Sequence, residues 1–161
     1  MTHLRPFLRR WLAFALVPLT AAGVLLLVPE TGGAQGGARG EEHSALFPVC
    51  AGAVRITCVV DGDTIWYRGI KIRIADIDTP EVSQPGCPRE AALGRRATER
   101  LRQLLNAGRF GLVVPPDGRS RDRYGRELRI VTRGGQSLGA VLVREGLAAR
   151  WGGPKRAWCR G

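Results

Sequence analysis

Histidine is nearly missing from this chain. Of 161 residues only His3 and His43 carry an imidazole, one in an N-terminal apolar segment and one in the linker that follows it. A Ser-His-Asp or Cys-His nucleophile system is therefore excluded from the folded part, and so are the usual histidine-ligated zinc sites. Cysteine is limited to Cys50, Cys58, Cys87 and Cys159, none at metal-knuckle spacing, and no internal repeat is present. Lysine is scarce too: from Ala45 onward 21 Lys and Arg face 11 Asp and Glu, an excess of +10, yet only Lys71 and Lys155 are lysines. A polyanionic partner follows from that excess, and arginine's planar fork suits bidentate phosphate contacts better than an ammonium does. The competing reading of the charge is a solvated basic surface.

Residues 1 to 10 contain Arg5, Arg9 and Arg10 and no acid, and WLAFALVPLTAAGVLLLV, residues 11–28, is one apolar run. Residues 1–28 read as a signal peptide or a signal anchor: the run is at the ~18-residue threshold for a spanning helix, while Gly32 and Ala34 offer a small-x-small cleavage site. Both outcomes carry the remainder across the membrane, because the arginines hold the first residues in the cytoplasm. The expected location is extracytoplasmic: secreted, periplasmic, or held by a single N-terminal helix, with membrane contact only through that segment. Residues 29–44, rich in Gly, read as a flexible linker, leaving 45–161 as one domain of about 115 residues with room for a modest core.

Export favours disulfides. Of the three possible pairings, Cys50 with Cys58 and Cys87 with Cys159 are favoured, since the first pair is close in sequence and flanks a strand start. The second closes a long loop and in the chain-entropy model stabilises by about 4 kcal/mol.

Ala53 to Val60 is β-branched and ends at Asp61-Gly62-Asp63; Thr64 to Tyr67 runs to an Arg68-Gly69 turn, and Ile70 to Ala75 resumes. This is a three-stranded meander in which Ile70, Ile72 and Ile74 face a core and Lys71 and Arg73 face outward. Leu93, Ala97, Leu101, Leu104 and Leu105 recur at helical spacing, with Gly108 as a stop. Phe110 to Val114 and Glu127 to Thr132 are further strands, and Ser137 caps a helix carrying Leu138, Val141 and Leu142 before Gly146. The expected fold is α+β, mainly β: a five-stranded antiparallel OB-type barrel with two short helices.

Without histidine or free thiols, acid-base chemistry must come from carboxylates, and any metal must be a hard, oxygen-liking cation such as Ca²⁺ or Mg²⁺. Acids are few, yet Asp61, Asp63, Asp76, Asp78 and Glu81 fall within 21 residues at the ends of the first three strands. Paired carboxylates in a basic domain repel unless a cation sits between them. Taken singly, Asp61-Gly62-Asp63 is an ordinary hairpin turn and Asp78-Thr79-Pro80-Glu81 a turn or helix entry. A third element, Asp122-Arg123-Tyr124-Gly125-Arg126, adds two arginines and a tyrosine on one loop.

Together CVVDGDTIWY, IKIRIADIDTPE, DRYGRELRIV and LGAVLVREGLA closely resemble the staphylococcal-nuclease (thermonuclease) family over about residues 54–150. The resemblance implies an OB-type barrel with helices and Ca²⁺-dependent cleavage of DNA and RNA. It further implies that Asp63 and Asp78 ligate the metal with the carbonyl of Thr79, that Glu81 is the general base, and that Arg73 and Arg126 clamp the phosphate. Arg123 and Tyr124 would bind the flanking phosphate or base, or be plain loop surface. Such an enzyme is expected to act on nucleic acid as a monomer. One conflict remains: strict alternation places Arg73 and Asp78 on opposite strand faces, so the strand must end or bend near Asp76.

The chain departs from the family in lacking the C-terminal helix of longer members, with WGGPKRAWC in its place, and in the loop from Val82 to Glu90. Trp151 and Trp158 are expected to pack against the disulfide and barrel, base stacking being the other reading. Two rival functions stand beside the enzyme. A non-catalytic nucleic-acid-binding OB-fold module of the cell envelope needs only arginines and aromatics, and bare carboxylates beside a phosphate track would weaken it. A protein-binding scaffold would show no metal dependence.

Overall fold

The computed structural model describes residues 42–154 and 156–160. The expected export segment and most of the expected linker lie outside the described residues, among which no helix is long and apolar enough to cross a membrane. In chain order the elements are β1 (Glu42–His43), β2 (Cys58–Asp61), β3 (Thr64–Tyr67), β4 (Ile70–Ile74), β5 (Ile77–Asp78), α1 (Pro88–Asn106), β6 (Phe110–Val113), β7 (Glu127–Arg133), β8 (Gln136–Ser137), α2 (Leu138–Arg144) and β9 (Ala149–Arg150).

Seven strands form one sheet along the path β1-β6-β7-β4-β3-β2, with β8 added to β7, and β5 pairs with β9 as a separate ladder. The architecture is mainly β with two helices, as expected, but differs from an antiparallel barrel in two respects. β4 and β7 run parallel, with Ile72 opposite Glu127 and Ile74 opposite Arg129, a pairing allowed because the connection between them is long and contains a helix. The path is also open among the described residues, with β1 and β2 at its ends.

Local chemistry explains most element boundaries. Arg68 and Gly69 turn the β3–β4 hairpin with φ of 50° and 80°, the two positive values a two-residue type I′ turn requires. β2 starts at Cys58 and not at Ala53, and residues 48–50 run along its outer edge: Val59 N–H donates to Pro48 O and Cys50 N–H to Val59 O. The Cys50–Cys58 disulfide closes this arrangement. α1 is 19 residues long, not short, and starts at Pro88, with Cys87 as N-cap; proline suits the first turn because its missing N–H has no partner there anyway. Its buried face is Gly94, Ala97, Leu101, Leu104 and Leu105. α2 follows Ser137, whose hydroxyl accepts from Ala140 N–H.

The core gathers Val59, Ile65, Ile72, Ile74, Ile77, Leu101, Leu105, Phe110, Val131 and Leu142, all buried. Ile70, expected inside, is 45% exposed at the hairpin turn, and Arg73, expected outside, is only 8% exposed. His43 is also relocated: the end of the expected linker is a strand, and the imidazole packs on Tyr67 and Phe110 at 5.4 and 5.6 Å between ring centres. β3 separates Tyr67 from the acidic turn at Asp63, roughly 13 Å at the usual strand rise.

Candidate active site

The strand break demanded by the sequence is present. β4 ends at Ile74 and β5 begins at Ile77, and the intervening pair is fastened on three sides. Ala75 N–H donates to Arg129 O at 2.9 Å, Trp151 N–H to Asp76 O at 3.0 Å, and the Ser137 hydroxyl to Asp76 Oδ2 at 2.5 Å. After this bend β5 pairs with β9, and Asp78 comes round to the side of Arg73. Asp76 thus shapes the site without joining it.

Arg73 lies between the carboxylates. Its Nη2 is 3.1 Å from Asp63 Oδ2 and 3.0 Å from Asp78 Oδ1, while Nη1 donates to Ile74 O and Ile77 O at 2.7 and 2.9 Å. Asp63 is buried and further held by the backbone N–H and hydroxyl of Thr79, which donate to Oδ2 at 3.0 and 2.9 Å. Two carboxylates therefore reach one nitrogen, from turns that are 15 residues apart. Asp61 accepts from Asp63 N–H at 3.1 Å, and burial, followed by the neighbouring Asp63 charge, pushes its carboxyl up to about 6.

Glu81 stands at the rim of this cluster. Partial burial, then the charges of Asp63, Asp78 and Glu90, raise its carboxyl above the ordinary range, with Arg73 opposing. The backbone there is wedged against α1: a Cβ on Gly94 would lie 2.7 Å from Pro80 O and 2.9 Å from Glu81 O, so only glycine lets the helix pass this close. Glu90 clamps the following loop, accepting from Gly86 N–H at 2.7 Å and Glu81 N–H at 3.4 Å. The Cys87–Cys159 disulfide fastens the base of that loop to the C-terminal tail.

The third element is organised by Asp122. Its Oδ1 accepts from the N–H groups of Tyr124 and Arg126 at 2.9 and 3.0 Å, and its Oδ2 from Arg126 Nε at 2.7 Å. Burial works against ionisation of Asp122, but the Arg126 side chain and these N–H donors outweigh it and lower its pKa. Tyr124 is 68% exposed, with the guanidinium centres of Arg123 and Arg126 at 4.8 and 5.5 Å from its ring centre. Arg73, Arg123, Tyr124 and Arg126 line one cleft of about 530 Å³.

The structure thus brings the candidate site residues together: Asp63 and Asp78 on Arg73, Thr79 on Asp63, Glu81 close enough to feel their charges, and Arg73 in one cleft with Arg123, Tyr124 and Arg126. Four contributors were missed. Asp122 could have been found from its i, i+2, i+4 relation to Tyr124 and Arg126, the pattern of an aspartate folding its own turn. Glu90 carried no local signal, and Gly94 only the faint one of a glycine inside a helical pattern. Trp151 was expected to pack on the disulfide; instead its ring lies 5.4 Å from the Arg73 guanidinium, is 55% exposed and forms part of the cleft wall.

A metal at this place would meet oxygen donors alone. Among the described residues no three His, Cys, Asp or Glu side chains form a ready cage, so such an ion would have two carboxylates and a backbone carbonyl from the protein. That set fits a hard cation that keeps part of its water, and the convergence of Asp63 and Asp78 on one positive group shows that the pair needs compensation.

Comparison with known proteins points the same way. The family described as Staphylococcal nuclease homologue matches residues 71–155. The chain is 37% identical over 99 residues to Endonuclease YncB of Bacillus subtilis (strain 168), covering 59% of this chain and 46% of that protein. It is 37% identical over 103 residues to a Micrococcal nuclease of Shigella flexneri, covering 56% and 53%. With a Thermonuclease of Staphylococcus intermedius it shares 33% over 94 residues, covering 56% and 54%. The chain spans about half the length of these relatives.

Proposed function

The chain belongs to the staphylococcal nuclease family, and from that premise we propose that it is an exported, Ca²⁺-dependent nuclease hydrolysing phosphodiester bonds of DNA, RNA or both. The observation that carries this reading is the meeting of Asp63 and Asp78 on Arg73, with Glu81 at their edge and Arg126 in the same cleft. A binding module has no use for Asp63, Asp78 and Glu81 gathered beside its cationic cleft, since each repels the phosphate it must hold.

In this reading Asp63, Asp78 and the Thr79 carbonyl hold Ca²⁺, which when bound supplies positive charge to the phosphate and lowers the pKa of water beside it. Glu81 takes the proton from the attacking water, a role open to a carboxylate of raised pKa in a domain whose one described histidine is elsewhere. Arg126, pre-aimed by Asp122, binds phosphate oxygens that gain negative charge as the transition state forms. Arg73 joins it once another cation compensates Asp63 and Asp78. Tyr124 and Arg123 hold the neighbouring nucleotide. The two disulfides suit an oxidising compartment, which supports export, and the monomer is the proposed working unit.

Purified protein incubated with DNA and with RNA, with Ca²⁺ or with chelator, tests the reading. Digestion that needs the cation is expected, and Glu81→Gln should keep binding while losing several orders of magnitude in turnover. Substrate left intact in both conditions would replace the enzyme by the binding module, and full turnover in Glu81→Gln would assign the base elsewhere.

A further inference from the structure

A second cleft, of about 390 Å³, opens beside the first and shares Ala75, Arg119 and Trp151 with it. Its position is set by the same ladder that turns Asp78 toward Arg73: β9 places Arg150 opposite Ile77, and Trp151, the next residue, is bonded to Asp76 O. The indole therefore stands as a partition, with Arg73 toward one side and the second cleft on the other.

The two clefts differ in charge. Five arginines and one carboxylate line the first. In the second, Arg119 and Arg150 are matched by Asp117 and Asp76, Asp117 bound to Arg119 at 2.7 Å and Asp76 to Ser137. With no net charge to retain a phosphate, the second cleft has an apolar floor of Ile130, Ala140 and Val143 and an aromatic wall. A flat, mostly apolar group with polar edges suits these surfaces, and the volume is at the low end of the about 300–1,000 Å³ usual for small-ligand clefts, enough for one such group.

The geometry points to a subsite for a single nucleobase, that of a nucleotide flanking the scissile phosphate, stacked on Trp151 over Ala140 and Val143. It rests on the nuclease reading and extends it to the substrate: a base can enter only when unpaired, so the strand bound here is single-stranded.

The test is binding, measured in chelator so that no cleavage is needed, of fluorescent single-stranded trinucleotides carrying an abasic unit at each position in turn. Loss of a stacked base is expected to weaken binding by about tenfold or more. At one position that penalty should disappear in Ala140→Trp, which fills the second cleft, and shrink in Val143→Phe, the milder variant that keeps the test valid if the first misfolds. Penalties that are the same in the unaltered protein and in folded variants, or no abasic penalty at all, would overturn the subsite. Ca²⁺-dependent digestion is assayed in parallel. Absent digestion with a position-specific penalty supports the subsite and removes the enzyme, whereas digestion without that penalty does the reverse.

Discussion

Arg73 and Asp78 are five residues apart and on an unbroken strand would point to opposite faces, yet Nη2 of Arg73 lies 3.0 Å from Oδ1 of Asp78. The same nitrogen is 3.1 Å from Asp63 Oδ2, so one guanidinium compensates two acids. Asp78 is 55% exposed at the side chain and Asp63 only 10%; water can take over Asp78 but not Asp63. Arg73→Ala should therefore act mainly by stranding Asp63, a loss of about 3–5 kcal/mol for a buried charge left without its partner. Urea unfolding in chelator reads this directly, and millimolar Ca²⁺ should return part of the loss if a cation occupies the same place. A loss below about 1 kcal/mol, within the range of exposed pairs, would show that Arg73 is not the compensating group.

Gly94→Ala sets two effects against each other. Alanine in a helix interior is favoured over glycine by about 1 kcal/mol, while a Cβ 2.7 Å from Pro80 O and 2.9 Å from Glu81 O is an overpacking of about 1–3 kcal/mol. The neighbours are backbone atoms that cannot rotate away, so the clash should win and displace Glu81. Thermal unfolding should show a modest loss and kcat a fall of about tenfold or more, since small misplacements of a reacting group are costly. A variant with higher stability and unaltered kcat would mean that the helix does not position Glu81.

Glu90→Ala removes the carboxylate that gathers the N–H groups of Gly86 and Glu81. The loop remains fastened by the Cys87–Cys159 disulfide, so global stability should change little. The expected signature is a fall in kcat of about tenfold with KM nearly constant, as expected when only the group acting in the transition state is loosened. A rise in KM at constant kcat would place Glu90 in substrate binding.

These residues also mark where the sequence stopped being readable. Leu101 and Leu105 on α1, Ser137 at the start of α2 and the Arg68-Gly69 turn are visible because each depends on residues within a few positions. Cysteine pairing was legible from spacing and few alternatives. The bend at Ala75-Asp76 was demanded by the Arg73–Asp78 conflict, but its cause, bonds to Arg129, Ser137 and Trp151, lies 54 to 75 positions away and has no local trace. The parallel β4–β7 pair is hidden for the same reason. Gly94 left a faint mark, since a glycine inside a helical pattern is costly and suggests that something passes close.

Asp122 provides a prediction in pH. Its carboxyl is held below the ordinary aspartate value of 3.8: burial favours the neutral form, but the Arg126 side chain and the N–H groups of Arg126 and Tyr124 favour the charged form more. A group whose pKa is lower folded than unfolded contributes stability that is present in full above the unfolded value and is lost as pH falls through the folded one. Asp122→Asn should therefore lower the thermal midpoint at neutral pH, and the gap from the unaltered protein should narrow once pH drops below about 3.8, the unfolded aspartate range. At neutral pH the variant should also bind nucleic acid more weakly, because Arg126 loses the bond that aims it. A gap in midpoint that stays constant from pH 7 down to pH 3 would mean that Asp122 holds the loop through its shape alone and that its charge contributes nothing to the position of Arg126.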